Sequence, residues 1–248
     1  MSHTPIRLLM ERVNPSPSTL PALDARLSAA LEFLRGGTMA DVGTDHAYLP
    51  LFALTHGQSS FAVATDIHKG PAEIAAAHLA DGGVGDDRAV VLLTDGLHGA
   101  EPYHPSDICI FGMGGEMIAR IIDEAPWVKN SSVRLILQPM TKQESLRDYL
   151  DNNGFNIVAE RLIETDRIYQ IIVAEYDGRP HSHSPMELFI GKENLERQDK
   201  VTRKLVLRHI DILSAAREGK RKGACPDTSR EDALLAALNE YLEQTLEV

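Results

Sequence analysis

The chain has 248 residues, of which 43% are hydrophobic and 25% are charged, and its formal net charge at pH 7 is −11. This balance is typical of a folded globular protein, and it disfavours both extensive disorder and binding of nucleic acid through a uniformly basic surface. No stretch approaches the roughly 20 apolar residues of a membrane span, and residues 1–20 lack the apolar core of a signal peptide, so a cytoplasmic protein is expected.

Predicted strands and helices alternate along most of the chain. A helix within residues 21–36 is followed by strands at 38–42, 61–65, 89–93, 107–111 and 133–137, and by helices at 49–55, 70–79, 116–123 and 143–152. Two further strands, at 156–163 and 169–176, have no helix between them. Nearly continuous apolar strands indicate parallel strands that are covered on both faces. The order predicts an α/β fold with a doubly wound, mostly parallel sheet and an antiparallel last strand.

A polar linker bounded by proline, residues 179–185, separates this sheet from a helical tail. The linker contains His181 and His183, but no third ligand lies near them, so a linker is favoured over a metal site. One long helix is predicted over 186–216, and a last helix after residue 228 would pack against it as an antiparallel partner. We therefore expect an N-terminal extension at 1–20, a sheet domain at 21–180 and a helical domain at 181–248.

Positive charge is concentrated in the tail. Residues 192–222 contain ten Lys or Arg against five Asp or Glu, whereas residues 1–180 contain 14 against 24. A basic stretch at helical spacing is most often a solvated helix face, and contact with a polyanion is the alternative. If the chain has such a partner, the candidates for phosphate contact are Lys200, Arg203, Lys204 and Arg208.

Small or acidic residues follow the predicted strands, at the sheet edge where ligands of such folds bind. In chain order they are Asp41, Gly43 and Asp45, then Asp66, then Asp95 and Gly96, then the glycines between 112 and 115, and finally Gln138 and Pro139. The first turn has one glycine where dinucleotide-binding loops have three, and its aspartates would meet a pyrophosphate. A dinucleotide is therefore disfavoured, and a cationic ligand is favoured.

Each of these residues also has a purely structural interpretation. Asp66 could accept the ribose hydroxyls of a nucleoside or cap a helix, and Asp95 could accept from an adenine amino group or simply shape a turn. Gln138 could read a base edge or satisfy a local backbone group. Together, a glycine turn, an acid for the ribose, an acid near the adenine and a glycine loop are the means by which class I methyltransferases hold S-adenosylmethionine.

Several segments resemble the bacterial tRNA adenine-22 N1-methyltransferase family. They are ADVGTDHAYLPLFAL, ATDIHKGP, DGL, ICIFGMGGEMIARII and RLILQPM, which occur in that order, and ELFIGKENLE at the start of the tail. The resemblance implies a Rossmann-like domain, a coiled-coil-like C-terminal domain for tRNA, and methylation of N1 of adenosine 22 in the D-arm region. Carried over by position, it implies cofactor contacts for Asp41, Gly43, His46, Asp66, Ile67, Asp95, Gly96 and Gly112.

The resemblance also implies a catalytic role for Asp45. Attack by N1 places positive charge on the adenine. A carboxylate would stabilise that charge and could accept the N6 proton of the adenine. The alternative role for Asp45 is to cap the next helix. The target base would face Met113, Gly114, Gln138 and Pro139, and Met140 stands where the family pattern has asparagine. No metal is expected. Two other functions stay open: methylation of another substrate, and nucleoside binding without catalysis.

Overall fold

The computed structural model describes residues 4–6, 23–223 and 227–245. The strands are β1 (Thr4–Ile6), β2 (Thr38–Val42), β3 (Phe61–Asp66), β4 (Ala89–Leu93), β5 (Asp107–Gly114), β6 (Arg134–Thr141), β7 (Phe155–Glu164) and β8 (Ile168–Tyr176). The helices are α1 (Ala25–Leu31), α2 (Tyr48–Thr55), α3 (Lys69–Asp81), α4 (Gly115–Asp123), α5 (Gln143–Asn152), α6 (Pro185–Ile190), α7 (Lys192–Arg197), α8 (Lys200–Arg221) and α9 (Ser229–Gln244).

The described strands form one sheet in the order β1-β4-β3-β2-β5-β6-β8-β7. Parallel pairing runs from β4 through β3, β2 and β5 to β6. The last strand, β8, lies antiparallel between β6 and β7. These findings confirm the doubly wound sheet with an antiparallel last strand. The chain runs outward from β2 to β4 and then returns to β5, so the strand order reverses between β2 and β5, where such sheets open a crevice for ligands.

Alternate side chains of the central strands supply two apolar cores, one on each face of the sheet. Met39 and Cys109 belong to the core that α2 and α3 cover, whereas Ala40 and Ile110 belong to the core under α4 and α5. Strands that are buried on both faces need apolar side chains at nearly every position, which explains the continuous apolar runs in the sequence. The two cores fix β2 and β5 rigidly below the crevice.

Two helix predictions need correction. The first helix spans only Ala25–Leu31, and the single helix expected over 186–216 is in fact three helices, α6, α7 and most of α8. Gly191 separates α6 from α7 with a φ of 95°, and a side chain there would collide with the carboxylate of Glu160. Gln198 has a φ of 54°, and Asp199 then caps α8 by accepting from the Thr202 amide at 2.7 Å. Leu195 is the only apolar residue between the two breaks, so the apolar pattern is too sparse there to show where one helix ends and the next begins.

The N-terminal extension contributes a strand that the sequence pattern did not predict. β1 pairs antiparallel with β4 at the edge of the sheet. The other residues of the predicted extension lie outside the described part of the chain.

The tail helices have an apolar cluster of their own. Leu205 and Val206 of α8 pack with Leu234 and Leu238 of α9, and Leu162 of β7 joins the same cluster. The late part of α8 contacts the early part of α9, so the two helices are antiparallel, as expected. The boundary between the two predicted domains remains a prediction. None of the helices in the described ranges is both long and apolar enough to span a bilayer.

A buried ion pair attaches this tail to the sheet. Arg147 of α5 is fully buried and donates to Glu160 of β7 at 2.7 and 2.9 Å. The same guanidinium donates to Gln170 of β8 at 2.8 Å and to the Leu188 carbonyl of α6 at 2.8 Å. Glu160 also accepts from the Glu193 amide of α7 at 3.2 Å. One buried pair therefore holds two strands and three helices together.

Candidate functional site

A cavity of about 770 Å³ opens at the carboxyl ends of β2, β3, β4 and β5. Its volume lies within the usual range of small-molecule sites, and its position is the crevice that the strand order creates. The cavity is lined by every residue expected to hold the cofactor, namely Asp41, Gly43, His46, Asp66, Ile67, Asp95, Gly96 and Gly112. Asp45 and Met113 line it as well. Residues from four separate strand ends are thus brought to one site.

The loop between β2 and α2 has an unusual backbone. Gly43, Asp45 and Ala47 all have left-handed φ values, of 71°, 51° and 53°. Left-handed backbone is uncommon for residues other than glycine and concentrates at functional sites. No side chain caps α2, whose N-cap is Ala47, so the capping role considered for Asp45 is excluded. The Asp45 side chain is instead 69% exposed at the cavity, 3.6 Å from Nε2 of His46.

Asp41 supplies buried negative charge at the base of the cavity. Its side chain is almost fully buried and accepts a hydrogen bond from the Thr44 hydroxyl at 2.6 Å. Burial raises the pKa of Asp41 to about 6; the Thr44 hydroxyl opposes the increase and the charge of Asp66 adds to it. A cationic ligand group nearby would favour the ionised form, because opposite charges attract strongly where water is excluded.

Asp66 shapes the turn before α3 but does not cap the helix, and its role toward a ribose stays a prediction. Its Oδ1 accepts at 2.8 Å from the amide of His68, the N-cap residue that precedes α3. Oδ2 has no donor among the described residues, so it is available to a ligand hydroxyl. Ile67 follows with a side chain that is 57% exposed, which gives the cavity an apolar surface next to the carboxylate. This combination suits a nucleoside, since it presents both a ribose acceptor and a surface for a flat ring.

Asp95 already has a partner that the sequence did not suggest. Arg120 of α4 donates to both of its carboxylate oxygens, at 3.1 and 3.3 Å. Gly96 follows with a φ of 56°, and its carbonyl accepts from the Thr65 hydroxyl at 2.8 Å. The turn is therefore held from both sides of the crevice. Arg120 also lines the cavity, and nothing in the spacing of the sequence distinguishes it from an ordinary helix-surface arginine.

The glycines at the end of β5 and the start of α4 have two different purposes. Gly112 has a φ of 78° and faces open space inside the cavity, where a ligand can approach the backbone closely. Gly114 and Gly115 do not line the cavity: a side chain at Gly115 would collide with the Lys142 carbonyl, and one at Gly114 would lie 3.2 Å from the Thr141 hydroxyl. These two glycines allow the loop to pack against the end of β6.

Gln138 and Pro139 are buried and lie outside the cavity lining. The Gln138 amide donates to the Pro139 carbonyl at 3.1 Å and accepts from Arg26 of α1 at 3.3 Å. This geometry favours the local structural interpretation of Gln138, and its assignment to the target base stays a prediction. Arg26, which the sequence analysis missed, lines the cavity and stacks 4.7 Å above the ring of Tyr169.

A cluster of rings stands beside the Asp45 loop. His46, Tyr48 and His78 have their ring centroids 5.4 Å apart in every pair, and Nδ1 of His78 lies 3.0 Å from the His46 carbonyl oxygen. Nδ1 of His46 is buried without a hydrogen-bond partner among the described residues. The cluster fixes one wall of the cavity. Across the described ranges, no group of three or more His, Cys, Asp or Glu side chains is arranged to hold a metal ion.

The basic residues singled out in the tail lie on α8, away from the cavity. Lys204 pairs with Glu164 at 2.6 Å, and Arg203 contacts the Leu242 carbonyl at 3.5 Å. Lys200 and Arg208 are exposed and form no ion pair within the described ranges, so their charges are available to another molecule. Of the four predicted phosphate contacts, Arg203 and Lys204 are therefore bonded within the chain, and Lys200 and Arg208 are unpaired in the described ranges.

Comparison with known proteins gives consistent matches. Residues 23–172 match the family described as "Methyltransferase domain". The chain is 32% identical over 171 residues to the tRNA (adenine(22)-N(1))-methyltransferase of Bacillus subtilis, an alignment that covers 68% of this chain and 71% of the relative.

Two solved structures are similar over nearly their whole length. The Streptococcus pneumoniae protein Sp1610, in complex with S-adenosyl-L-methionine, is 30% identical with a TM-score of 0.77, over 89% of this chain and 100% of that one. The B. subtilis M1A22 tRNA methyltransferase TrmK is 27% identical with a TM-score of 0.72, over 91% of this chain and 98% of that one.

Proposed function

The chain belongs to the tRNA (adenine(22)-N(1))-methyltransferase family, and on that premise we propose that it transfers the methyl group of S-adenosylmethionine to N1 of adenosine 22 of tRNA. The observation that carries the proposal is the convergence of four strand ends on one acidic cavity. A compartment that contains tRNA is required, so the cytoplasm is the proposed location.

The residues of the cavity fit S-adenosylmethionine. The open space beside Gly112 admits a ligand against the backbone, the free oxygen of Asp66 suits the ribose hydroxyls, and Asp95 suits the adenine amino group. Asp41 and Asp45 line the same cavity, and their negative charge would favour a sulfonium there. S-adenosylmethionine, when bound, supplies a methyl group on a positively charged sulfur.

Asp45 is the proposed catalytic residue. Adenine N1 has an in-plane lone pair, so the cavity walls need mainly to align N1 with the methyl group and exclude water. The N1–methyl bond forms as the sulfur–methyl bond breaks, and positive charge appears on the adenine. The exposed carboxylate of Asp45 is held by a left-handed backbone at the cavity, where it would stabilise that charge and accept a proton from N6.

Binding of tRNA is proposed to use the tail. Turning a base out of folded RNA costs a few kcal/mol, which phosphate contacts can offset. Lys200 and Arg208 are the cations of α8 best placed for such contacts, since both are exposed and neither is bonded to another side chain or carbonyl in the described ranges. Met113 of the cavity lining remains the proposed neighbour of the target base, together with Gly114, Gln138 and Pro139 on adjoining segments.

The test is methyl transfer from labelled S-adenosylmethionine to unmodified tRNA, followed by identification of the modified nucleoside. We expect 1-methyladenosine at position 22 with the wild-type protein. The variants Asp45→Asn and Asp45→Ala should lower kcat by about 100-fold or more, with S-adenosylhomocysteine affinity changed less than about threefold. Asp148→Asn, at an exposed carboxylate of α5, is the matched control and should leave kcat unchanged. Near-normal turnover of both Asp45 variants would contradict the assignment.

A further inference from the structure

We propose that Arg120 is a positioning residue that holds Asp95 for recognition of the adenine amino group of the cofactor. The proposal rests on the function proposed above and adds a residue that neither the sequence pattern nor the resemblance assigns. It starts from the two-point contact in which Nη2 of Arg120 lies 3.1 Å from Oδ1 of Asp95 and Nη1 lies 3.3 Å from Oδ2.

The guanidinium is itself held in place. Its Nη1 also lies 2.9 and 2.8 Å from the carboxylate oxygens of Glu124, the C-cap of α4, so the two N–H groups of Nη1 are shared between Glu124 and Asp95. Its Nε lies 3.3 Å from the sulfur of Met117. Arg120 therefore connects the turn after β4 to α4, and Glu124 and Met117 orient its guanidinium from the side of the helix. A planar guanidinium with two parallel hydrogen bonds fixes the plane of the carboxylate that it contacts.

Among the described residues, Arg120 is the one side chain that hydrogen-bonds the Asp95 carboxylate. About a third of it, 36%, is exposed, and its turn is followed by Gly96 with a left-handed φ of 56°. A carboxylate has about four acceptor positions, so two contacts from Arg120 leave positions for an N–H donor in the cavity. Both side chains line that cavity.

The geometry also makes a competing interpretation testable. If Arg120 merely covered Asp95, it would have to leave before the cofactor could bind, and its removal would then strengthen binding. If Arg120 only stabilised the fold, its removal would weaken all ligands of the cavity equally. A positioning role differs from both, because it affects only ligands that donate to Asp95.

The experiment uses two ligands that differ at one group. S-adenosylhomocysteine has the adenine amino group, and its 6-deamino analogue, in which purine replaces adenine, has a hydrogen atom in its place. We would measure the Kd of both by calorimetry for the full chain, and we expect the wild type to prefer the amino ligand by about tenfold or more, as for a hydrogen bond to a charged group. Arg120→Met should reduce this preference to about threefold or less, mainly by weakening the amino ligand. Arg120→Lys should be intermediate.

Two further variants complete the design. Asp95→Asn should also reduce the preference, whereas Glu124→Gln, which leaves the contact between Arg120 and Asp95 in place, should retain it. An unchanged ratio in Arg120→Met, tighter binding of S-adenosylhomocysteine by that variant, or a wild type without preference would each overturn the proposal. A wild type that binds S-adenosylhomocysteine but does not methylate tRNA would instead overturn the proposed function.

Discussion

Replacement of Asp41 by asparagine tests how much the buried negative charge of this side chain lowers the free energy of unfolding. The substitution conserves shape, and the new amide oxygen can still accept from the Thr44 hydroxyl, which now lies 2.6 Å from the carboxylate. Because burial raises the pKa of Asp41 from 3.8 to about 6, ionisation costs more in the folded chain than in the unfolded chain. Since one pKa unit corresponds to about 1.36 kcal/mol, this difference in pKa corresponds to about 3 kcal/mol of unfolding free energy.

The sign of the effect depends on pH. A raised carboxyl pKa means that the folded protein holds the proton more tightly, so this group lowers stability progressively as pH rises from about 4 to about 6, and the loss is complete above pH 6. Asp41→Asn removes the ionisation. We therefore expect the variant to be more stable than the wild type by up to about 3 kcal/mol at pH 7.5, with little gain at pH 4.

Urea unfolding followed by circular dichroism at both pH values would measure the difference, with Asp148→Asn as an exposed-carboxylate control. The same variant should bind S-adenosylhomocysteine as the wild type does, or slightly more weakly, and S-adenosylmethionine distinctly more weakly, because only the latter has a sulfonium charge. A gain that is equal at both pH values, or a loss of stability at pH 7.5, would refute the explanation by burial of charge.

Three other substitutions test separate parts of the structure. Arg147→Met breaks the fully buried pair with Glu160 and should lower the unfolding free energy by about 3–5 kcal/mol in urea titration. Arg161→Met breaks an exposed pair with Glu32 and should lower it by about 1 kcal/mol or less. Equal losses would contradict the explanation that burial makes the first pair more important. Gly112 and Gly178 both have left-handed backbone, so Gly112→Ala and Gly178→Ala should each lower the unfolding free energy by about 1–2 kcal/mol in the same titration. Only Gly112→Ala should lower the affinity for S-adenosylhomocysteine in calorimetry, because Gly178 does not line the cavity. Similar affinities of the two variants would count against a cofactor next to Gly112. The double variant Lys200→Ala/Arg208→Ala should lower tRNA affinity and reduce the slope of log K against log salt by about 2 in filter binding. The effect should exceed that of Arg217→Ala/Lys220→Ala, whose charges pair with Asp232 and Glu231 at the other end of α8; the reverse order would argue against Lys200 and Arg208 as the phosphate contacts.

Removal of the whole tail is a less informative test of tRNA binding. The carbonyl of Leu188 in α6 accepts from the buried Arg147, and the amide of Glu193 in α7 donates to Glu160. Loss of residues 186–248 would leave that ion pair with unsatisfied groups and would uncover Leu162 of β7. The truncated chain would therefore be destabilised for reasons unrelated to RNA.

Local pattern was sufficient for the sheet and for the positions of the acids. Apolar runs, breaks at glycine and strand ends followed by Asp41, Asp66 or Asp95 are properties of neighbouring residues, so they are legible in the sequence. The topology of a doubly wound sheet then requires these ends to meet at one edge, which the cavity confirms. The single long helix expected in the tail was wrong because Gly191 and Gln198 break it through their positive φ values, which the apolar pattern does not mark.

Contacts between distant residues were decided only by the tertiary structure. Arg120 contacts Asp95, 25 positions away in the sequence, and Arg26 contacts Gln138, 112 positions away. The contact with Arg26 occupies the Gln138 side chain, which could otherwise have contacted a base. No local pattern encodes such a pairing, because it depends on which helix packs over which strand end. The sequence by itself determined the sheet and the acidic character of its edge. Packing determined that Asp95 is paired with the Arg120 guanidinium, whereas Asp41 is bonded only to a hydroxyl within the described residues.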